Sequence, residues 1–500
     1  MVLLAAVPLL YPPDPPLVDL GSHIGRYRIQ LEHDTWPTFR EYYRFTWAPI
    51  GNLGIDLLVF PLAPLFGLEN SVKLLVICIP MLTVAGFLLT AREVHGRIPP
   101  TALFAIPLAY NFPLHFGFVN FTLSLGIAFL LFPLWLRLGR QERLGLRAAL
   151  FVPLSLLLWL CHTFGWAILG VLVFGAEFAR REGSGNWIAR GWHAGLACLP
   201  LAPPVLAMLA WRFAGSSHGS ITDGWFNPIT KFNYLITLLR DRWHAFDLAS
   251  LAVIAAVFVY AVASRRMRFS PLLLTGALLL LPCYLVIPAR LFGASYADMR
   301  MLPYACAALL LSVRPSAEAG RRLVHGLAAA GLALVLVRTG GTTASLYLYS
   351  QAFQRELGAV PHIAEGSRVV ALIGAPCRSQ WKMDRLDHLS GLAIARRRAF
   401  TNDQWSEPGA QLVMPHYPEA GYYEHDSSQI VRYHPCAKGN HWRDIDESLR
   451  EVPREAFDYL WLVQPPAYDP ALVAGMQPVW RSRTSVLFRI DHPAARARTA

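Results

Sequence analysis

"RAALFVPLSLLLWLCHTFGWAILGVLVFGAEF", residues 147–178, decides how this chain is threaded. Read as one long helix, it crosses a membrane once. Read as two short helices hinged near His162, it crosses twice, each arm of about fifteen residues covering about 22 Å. The arginines arbitrate, because short cytoplasmic loops carry an excess of Lys and Arg. Take the N-terminus as cytoplasmic, residues 1–11 as reaching the outer face, and 54–67 (GIDLLVFPLAPLFG) as lying in the interface. With a hinge at His162, the loops holding Arg92/Arg97, Arg137/Arg140/Arg143/Arg147, Arg180/Arg181/Arg190, Arg265/Arg266/Arg268 and Arg314/Arg321/Arg322 then all fall inside. The turns at 115–118, 162–163 and 293–298 fall outside and hold no Lys or Arg. The hinged reading satisfies every short loop.

Outward from that stretch, apolar runs recur at 71–91, 99–114, 118–136, 194–211, 248–263, 270–289, 299–313 and 323–337. Runs near 20 residues match a hydrocarbon core of about 30 Å. The 500 residues are 54% hydrophobic and 16% charged, where soluble domains carry about 25% charge. The expectation is a mainly α, polytopic membrane bundle of about 11 transmembrane helices. The net charge of +12 is a topology signal and not a nucleic-acid footprint. The opening MVLLAAVPLL lacks a basic n-region and a small-residue cleavage site, so it reads as the outer end of a first helix and not a cleaved signal peptide. That helix is either short or begins upstream of Met1.

From about residue 341 the composition turns polar, and short β-rich runs appear at 368–375, 459–464 and 485–490. A helix-like stretch, MDRLDHLSGLAIARRR (383–398), lies between them. The expected organisation is a transmembrane domain over 1–340, with a large first periplasmic loop at 12–70, and a periplasmic α/β domain over 341–500. Five cysteines sit in apolar runs as small buried hydrophobes. Cys377 and Cys436 stand alone in the C-terminal domain, where an oxidising periplasm would pair them; two free thiols are the alternative.

Unusual polar groups collect on the outer side. Asp14, Asp19, His23 and Arg26 follow the first helix. Asn111, His115 and Asn120 flank one outer turn, and His162 sits at the hinge. His218, Asp223 and Lys231 lie in an outer loop, while Arg290, Asp298 and Arg300 bracket another turn. The spans carry almost no other charges. Intramembrane ionisable groups are costly and tend to be functional. Each also has a plain reading: Asp298 and Arg300 as a local pair, Lys231 as a loop lysine, His115 as an interface residue, Asp19 as a helix N-cap. Asp19 and His23 are spaced i, i+4, so one helical face presents both, with Arg26 three residues further. A carboxylate and an imidazole suit proton abstraction from a hydroxyl or metal binding. Guanidinium and ammonium suit phosphate.

"DLGSHIGR" (19–26) resembles the D-L-P-x-H-x-x-R stretch that follows the first helix in a group of bacterial membrane proteins of unassigned activity. The likeness continues through "APIGNLGIDLLV" (48–59), "YNFPLHFGFVNFTLSLGIAF" (110–129), "LCHTFG" (160–165) and "ADMRMLPY" (297–304). That group is distantly similar to the C-type (GT-C) membrane glycosyltransferases. The resemblance implies a GT-C-like bundle in the bacterial inner membrane and a polyprenyl-phosphate-linked sugar as donor. The acceptor would be an envelope glycan, lipid or protein. Asp19 matches the early acidic residue of the first outer loop, with Asp14 as a competitor. Gly21 stands where the motif usually has Pro. The loop lacks an adjacent acidic pair, so no metal ligand is assigned. A divalent metal stays open as cofactor, and no soluble organic cofactor is expected.

The catalytic candidates are therefore Asp19, His23 and Asp14. The substrate- and phosphate-binding candidates are Arg300, Arg290, Lys231, Arg26, His162, His115, Asn120 and Asp298, and Asp19 and His23 are expected to share a cavity with His162 and Arg300. Membrane lipids are partners; nucleic acid is not. Two other functions compete. A transporter or flippase would show inverted repeats and polar groups near the bilayer midplane, and no repeat is visible. A non-catalytic scaffold would explain the C-terminal domain but not the polar clustering.

Overall fold

The computed structural model describes residues 1–181, 186–213, 222–291, 293–376, 380–433 and 443–491. His218, Cys377 and Cys436 lie outside the described residues, and the cysteine pairing with them. The chain divides into two compact units. One holds 1–11, 49–58 and 73–345; the other holds 12–48, 59–72 and 346–500.

Five helices among the described residues are long and apolar enough to cross a membrane: Leu68–His95, Val119–Arg140, Leu144–Cys161, His244–Ala263 and Arg321–His362. A sixth is reached if Trp187–Ala197 and Leu199–Ala210, bent by 49°, count as one span. The chain is thus a multi-pass membrane protein. The eleven expected helices include several that are shorter than a span. Gly54–Phe66, Thr163–Ala179 and Pro271–Val286 have 13, 17 and 16 residues. The apolar run at 99–114 is not one α-helix. Pro100–Tyr110 winds as a 3₁₀ helix and Phe112–Phe116 follows as a separate short helix. Pro107 lies inside the 3₁₀ stretch, where an α-helix would lose a backbone hydrogen bond, while Pro100 and Pro113 stand in the first turns of the two pieces.

The 147–178 stretch is broken at His162. Leu144–Cys161 ends there, His162 is extended (φ −167°, ψ 134°), and Thr163–Ala179 begins. The imidazole makes the break tolerable: Nδ1 accepts the Phe164 N–H at 3.2 Å and caps the new helix. The second arm then packs closely against Pro271–Val286. A Cβ on Gly175 would lie 2.3 Å from the Gly276 backbone nitrogen, the small-residue contact by which membrane helices associate.

Contrary to expectation, the helices of the first unit bury further charges. Arg338 meets Asp247 at 2.6 Å. Glu177 accepts from Trp135 at 2.9 Å and from Arg147 at 2.8 Å.

The second unit is built on a six-stranded mixed sheet. Strand β1 (Arg368–Gly374) pairs in parallel with β2 (Phe400–Thr401), β3 (Ile430–Val431) and β4 (Tyr459–Val463). Beyond β4 the sheet is antiparallel, through β6 (Val486–Arg489) to the edge strand β5 (Gln477–Arg481). The centre of β1 and all of β4 are buried, which matches continuous apolar runs without alternation. Two helices of this unit matter for function: α1 (Leu20–Glu32) and α2 (Gly391–Arg397). They meet at glycines. A Cβ on Gly21 would lie 2.1 Å from the His388 carbonyl oxygen, and one on Gly391 would lie 2.5 Å from the Gly21 oxygen. Only residues without a Cβ allow backbones this close.

Candidate functional site

Helix α1 opens at Asp19, which occupies the N-cap position but makes no side-chain capping bond. The capping alternative therefore does not describe it. Its carboxylate faces His388, with Oδ1 3.7 Å from the imidazole Nε2. The other ring nitrogen, Nδ1, lies 2.9 Å from Asp403 Oδ1. A third carboxylate, Asp426, lies 3.9 Å from Nε2.

Local chemistry holds each of these groups. Past β2, Asn402 continues the ladder with its side chain: Oδ1 accepts the Ala371 N–H at 2.9 Å, and Nδ2 donates to the Ala371 carbonyl at 3.1 Å. That sets the next residue, Asp403. Ser22 of α1 then donates to the Asp403 carbonyl at 3.0 Å, and Gln404 Nε2 donates back to Ser22 at 3.0 Å. Gln429 donates to Asp426 Oδ1 at 2.6 Å. Trp405 sits between the two imidazoles, 4.9 Å from the His23 ring and 5.0 Å from the His388 ring. Asp19 and His23 are thus brought to one cluster, as their spacing predicts. Arg26 is buried beside them, donating to Gln411 and lying 5.2 Å from the Tyr27 ring.

The charge states follow from this crowding. Burial alone would lower the proton affinity of His388. The Asp403 charge and hydrogen bond, then Asp426 and Asp19, outweigh burial and push it up to about 10. Asp387 is pushed up to about 8, first by burial and then by Asp384, with Asp19 and Asp426 adding to the rise. Near neutral pH, His388 is an imidazolium and Asp387 is largely a neutral acid.

Asp14 is placed elsewhere in the same unit. Arg396 spans it and Glu69, at 2.9 Å and 2.7 Å, and Gln354 donates to Asp14 Oδ2 at 2.7 Å. It is a clamp between segments, fully engaged by two partners.

The remaining candidates lie in the membrane unit. Arg300 approaches His162 Nε2 to 3.5 Å through Nη1, donates to the Ser295 carbonyl at 2.9 Å, and lies 3.9 Å over the Phe118 ring. Because His162 Nδ1 accepts from Phe164, the ring proton of a neutral imidazole resides on Nε2. The ring then presents an N–H beside the Arg300 guanidinium. Lys231 does not share that spot. It is buried, ion-paired to Asp298 at 3.0 Å, and donates to the Tyr284 and Ile287 carbonyls, both at 2.9 Å. Asp298 thus pairs with Lys231 and not with Arg300. Residues two apart on a helix face different ways. Arg290 meets Asp223 at 3.6 Å in a largely exposed pair. Asn120 is a positioning residue: Nδ2 donates to Asp56 at 2.8 Å and to the Asn52 carbonyl at 2.9 Å, and Oδ1 accepts the Ile55 N–H at 2.7 Å. His115 is fully buried, its ring 6.0 Å from that of Tyr110.

Among the described residues, no group of three or more His, Cys, Asp and Glu side chains is arranged to hold a metal ion. The residues that sequence reasoning missed are His388, Asp403, Asp426, Asp387 and Trp405. Their signals were the acid–imidazole pairs in "DRLDH" (384–388) and "EHD" (424–426), and "NDQW" (402–405) directly after a β-like run.

Solved structures of ArnT from Cupriavidus metallidurans are similar to this chain. The apo form gives a TM-score of 0.49 at 14% identity, covering 98% of this chain and 96% of that chain. The form bound to undecaprenyl phosphate gives 0.48 at 12% identity, covering 98% and 97%. No family model and no curated protein matches the sequence.

Proposed function

We propose that this protein transfers a sugar from a lipid-linked phosphate to an acceptor hydroxyl at the outer face of the bacterial inner membrane. The observation that carries the proposal is the carboxylate of Asp19. It leaves its helix end uncapped and turns toward a held imidazolium.

In the proposed step the acceptor oxygen attacks the anomeric carbon. The carbon–oxygen bond to phosphate breaks, and the lipid phosphate leaves with the bonding pair. The hydroxyl proton passes to an oxygen of Asp19. Within the membrane unit, Arg300 and His162 are taken by themselves as the candidate donors to a lipid phosphate. Lys231 and Arg290 take no part in this reading, because Asp298 and Asp223 already pair with them. His23 and Trp405 border the acid, and Asn120 holds the loop at Asp56.

The transporter reading keeps one observation of its own, the Arg338–Asp247 pair buried among the membrane helices. The two readings separate in one assay. Proteoliposomes carrying the full-length chain are given a labelled polyprenyl-phosphate sugar together with an envelope extract. The transferase reading expects label in a product that survives mild acid cleavage of the sugar–phosphate bond. Label that only changes leaflet, still on its lipid, would replace it with the transporter.

A further inference from the structure

The sequence offers Asp19, with Asp14 as competitor, as the carboxylate that accepts a proton or orients the acceptor. The geometry points to a larger unit: we infer that His388, anchored by Asp403, is a positioning residue that keeps Asp19 ionised and aimed, so that the base is a three-residue assembly. This deepens the proposed function and rests on its assignment of Asp19.

Three observations carry it. First, the imidazole is fixed from behind. Asp403 engages Nδ1 at 2.9 Å, and Asp403 is itself set by the Asn402 side-chain ladder on β1 and by Ser22 of α1. Second, Nε2 is aimed between two carboxylates, Asp19 at 3.7 Å and Asp426 at 3.9 Å. Both distances exceed an ordinary hydrogen bond of about 2.7–3.2 Å, so the coupling is chiefly one of charge. Third, the ring cannot serve as a relay. With both nitrogens protonated it has no lone pair to take a second proton, which leaves an electrostatic role.

Burial pushes a carboxylate toward its neutral form. A neutral Asp19 could not accept the acceptor's proton. The cation beside it offsets that penalty, and the groups facing His388 from every side agree with this. Asp19 comes from the start of α1, and His23 from the same helix across Trp405. Asp403 comes from the segment after β2, and Asp426 with His425 from the loop before β3. Asp384, Arg385 and Asp387 lie on its own segment. Asp387 is held up to about 8 and so contributes little negative charge near neutrality.

The test reads the protonation of Asp19 directly and needs neither sugar nor acceptor. The purified full-length protein is titrated by infrared difference spectroscopy, following the carbonyl stretch of protonated carboxyl groups. The Asp19 component is the one missing in Asp19→Asn. The expected result is that His388→Gln, which keeps a side-chain hydrogen-bond donor but loses the charge, raises the Asp19 midpoint by about 1–3 pH units, the range set by an opposite charge at this distance. His388→Lys, which keeps a cation, should restore most of the wild-type midpoint. If His388→Gln does not fold, Asp403→Asn should move the midpoint in the same direction by a smaller amount. Equal midpoints in wild type and in the folded variants would overturn the inference. A shift without any sugar transfer by the wild type would keep the inference and remove the proposed function. Transfer without a shift would do the reverse.

Discussion

Replacing Gly21 with alanine tests whether the site depends on the close contact between α1 and the segment that leads into α2. The added methyl would sit 2.1 Å from the His388 carbonyl oxygen and 3.1 Å from its carbon. Ordinary contact begins near 3.4 Å, so the backbones must separate by about 1.3 Å. The obstacle is a main-chain carbonyl and cannot swing aside like a side-chain tip. Overpacking of this kind costs about 1–3 kcal/mol. In a unit of about 200 residues each kcal/mol lowers the unfolding midpoint by about 2–4 °C, so a drop of about 2–12 °C is expected. The same displacement would stretch the Asp19–His388 approach from 3.7 Å toward about 5 Å. Misplacement by about 1 Å can cost about 10²-fold in rate. Thermal unfolding in detergent, followed by tryptophan fluorescence, reads the first effect; initial transfer rates read the second. Gly21→Pro, the residue the resembling motif usually carries, should behave no better, because it brings the same Cβ. A Gly21→Ala protein with the wild-type midpoint and rate would refute the contact and the reasoning built on it.

Raising the pH from about 6 to 10 should progressively lower the unfolding midpoint of the second unit. His388 is raised from 6.5 to about 10 and Asp387 from 3.8 to about 8. In both cases the folded state holds a proton that the unfolded chain releases, so the stabilisation is complete below the unfolded value and disappears as pH climbs through the folded one. His388→Gln should flatten the alkaline part of that curve; an unchanged slope in the variant would assign the effect to other groups. Arg300→Lys should weaken binding of a polyprenyl-phosphate donor although charge is kept, because an ammonium cannot reproduce a planar two-donor contact; undiminished affinity by isothermal titration would take Arg300 out of phosphate recognition. A reporter fused after residue 345 should be active only when it functions outside the cytoplasm; activity restricted to the cytoplasm would invert the arginine-based topology.

The break at His162 was legible because a polar residue interrupts an apolar run at the place where the arginine pattern needs a turn. The Asp19–His23 relation was legible because it is a local helical spacing. The rest of the cluster was not. His388, Asp403 and Asp426 come from three separate segments more than 360 residues from Asp19, and β1 with its Asn402 ladder brings them together. Pairing of Asp298 with Lys231 was hidden for a similar reason. The nearer cation, Arg300, lies on another side of the same helix, while Lys231 arrives from 67 residues away. The buried Glu177 and Asp247 escaped notice because each is a single charge in or beside an apolar run, compensated by arginines from other helices or from the following turn.

The most direct measurement is single-turnover sugar transfer by wild type and Asp19→Asn in proteoliposomes, with donor affinity measured on the same preparations. Asparagine keeps the shape and can still cap a helix, but it cannot take a proton. The account predicts donor affinity within a factor of two of wild type and a transfer rate lower by about 10²–10⁴-fold, the usual cost of losing a general base. A variant that transfers sugar at the wild-type rate would contradict it.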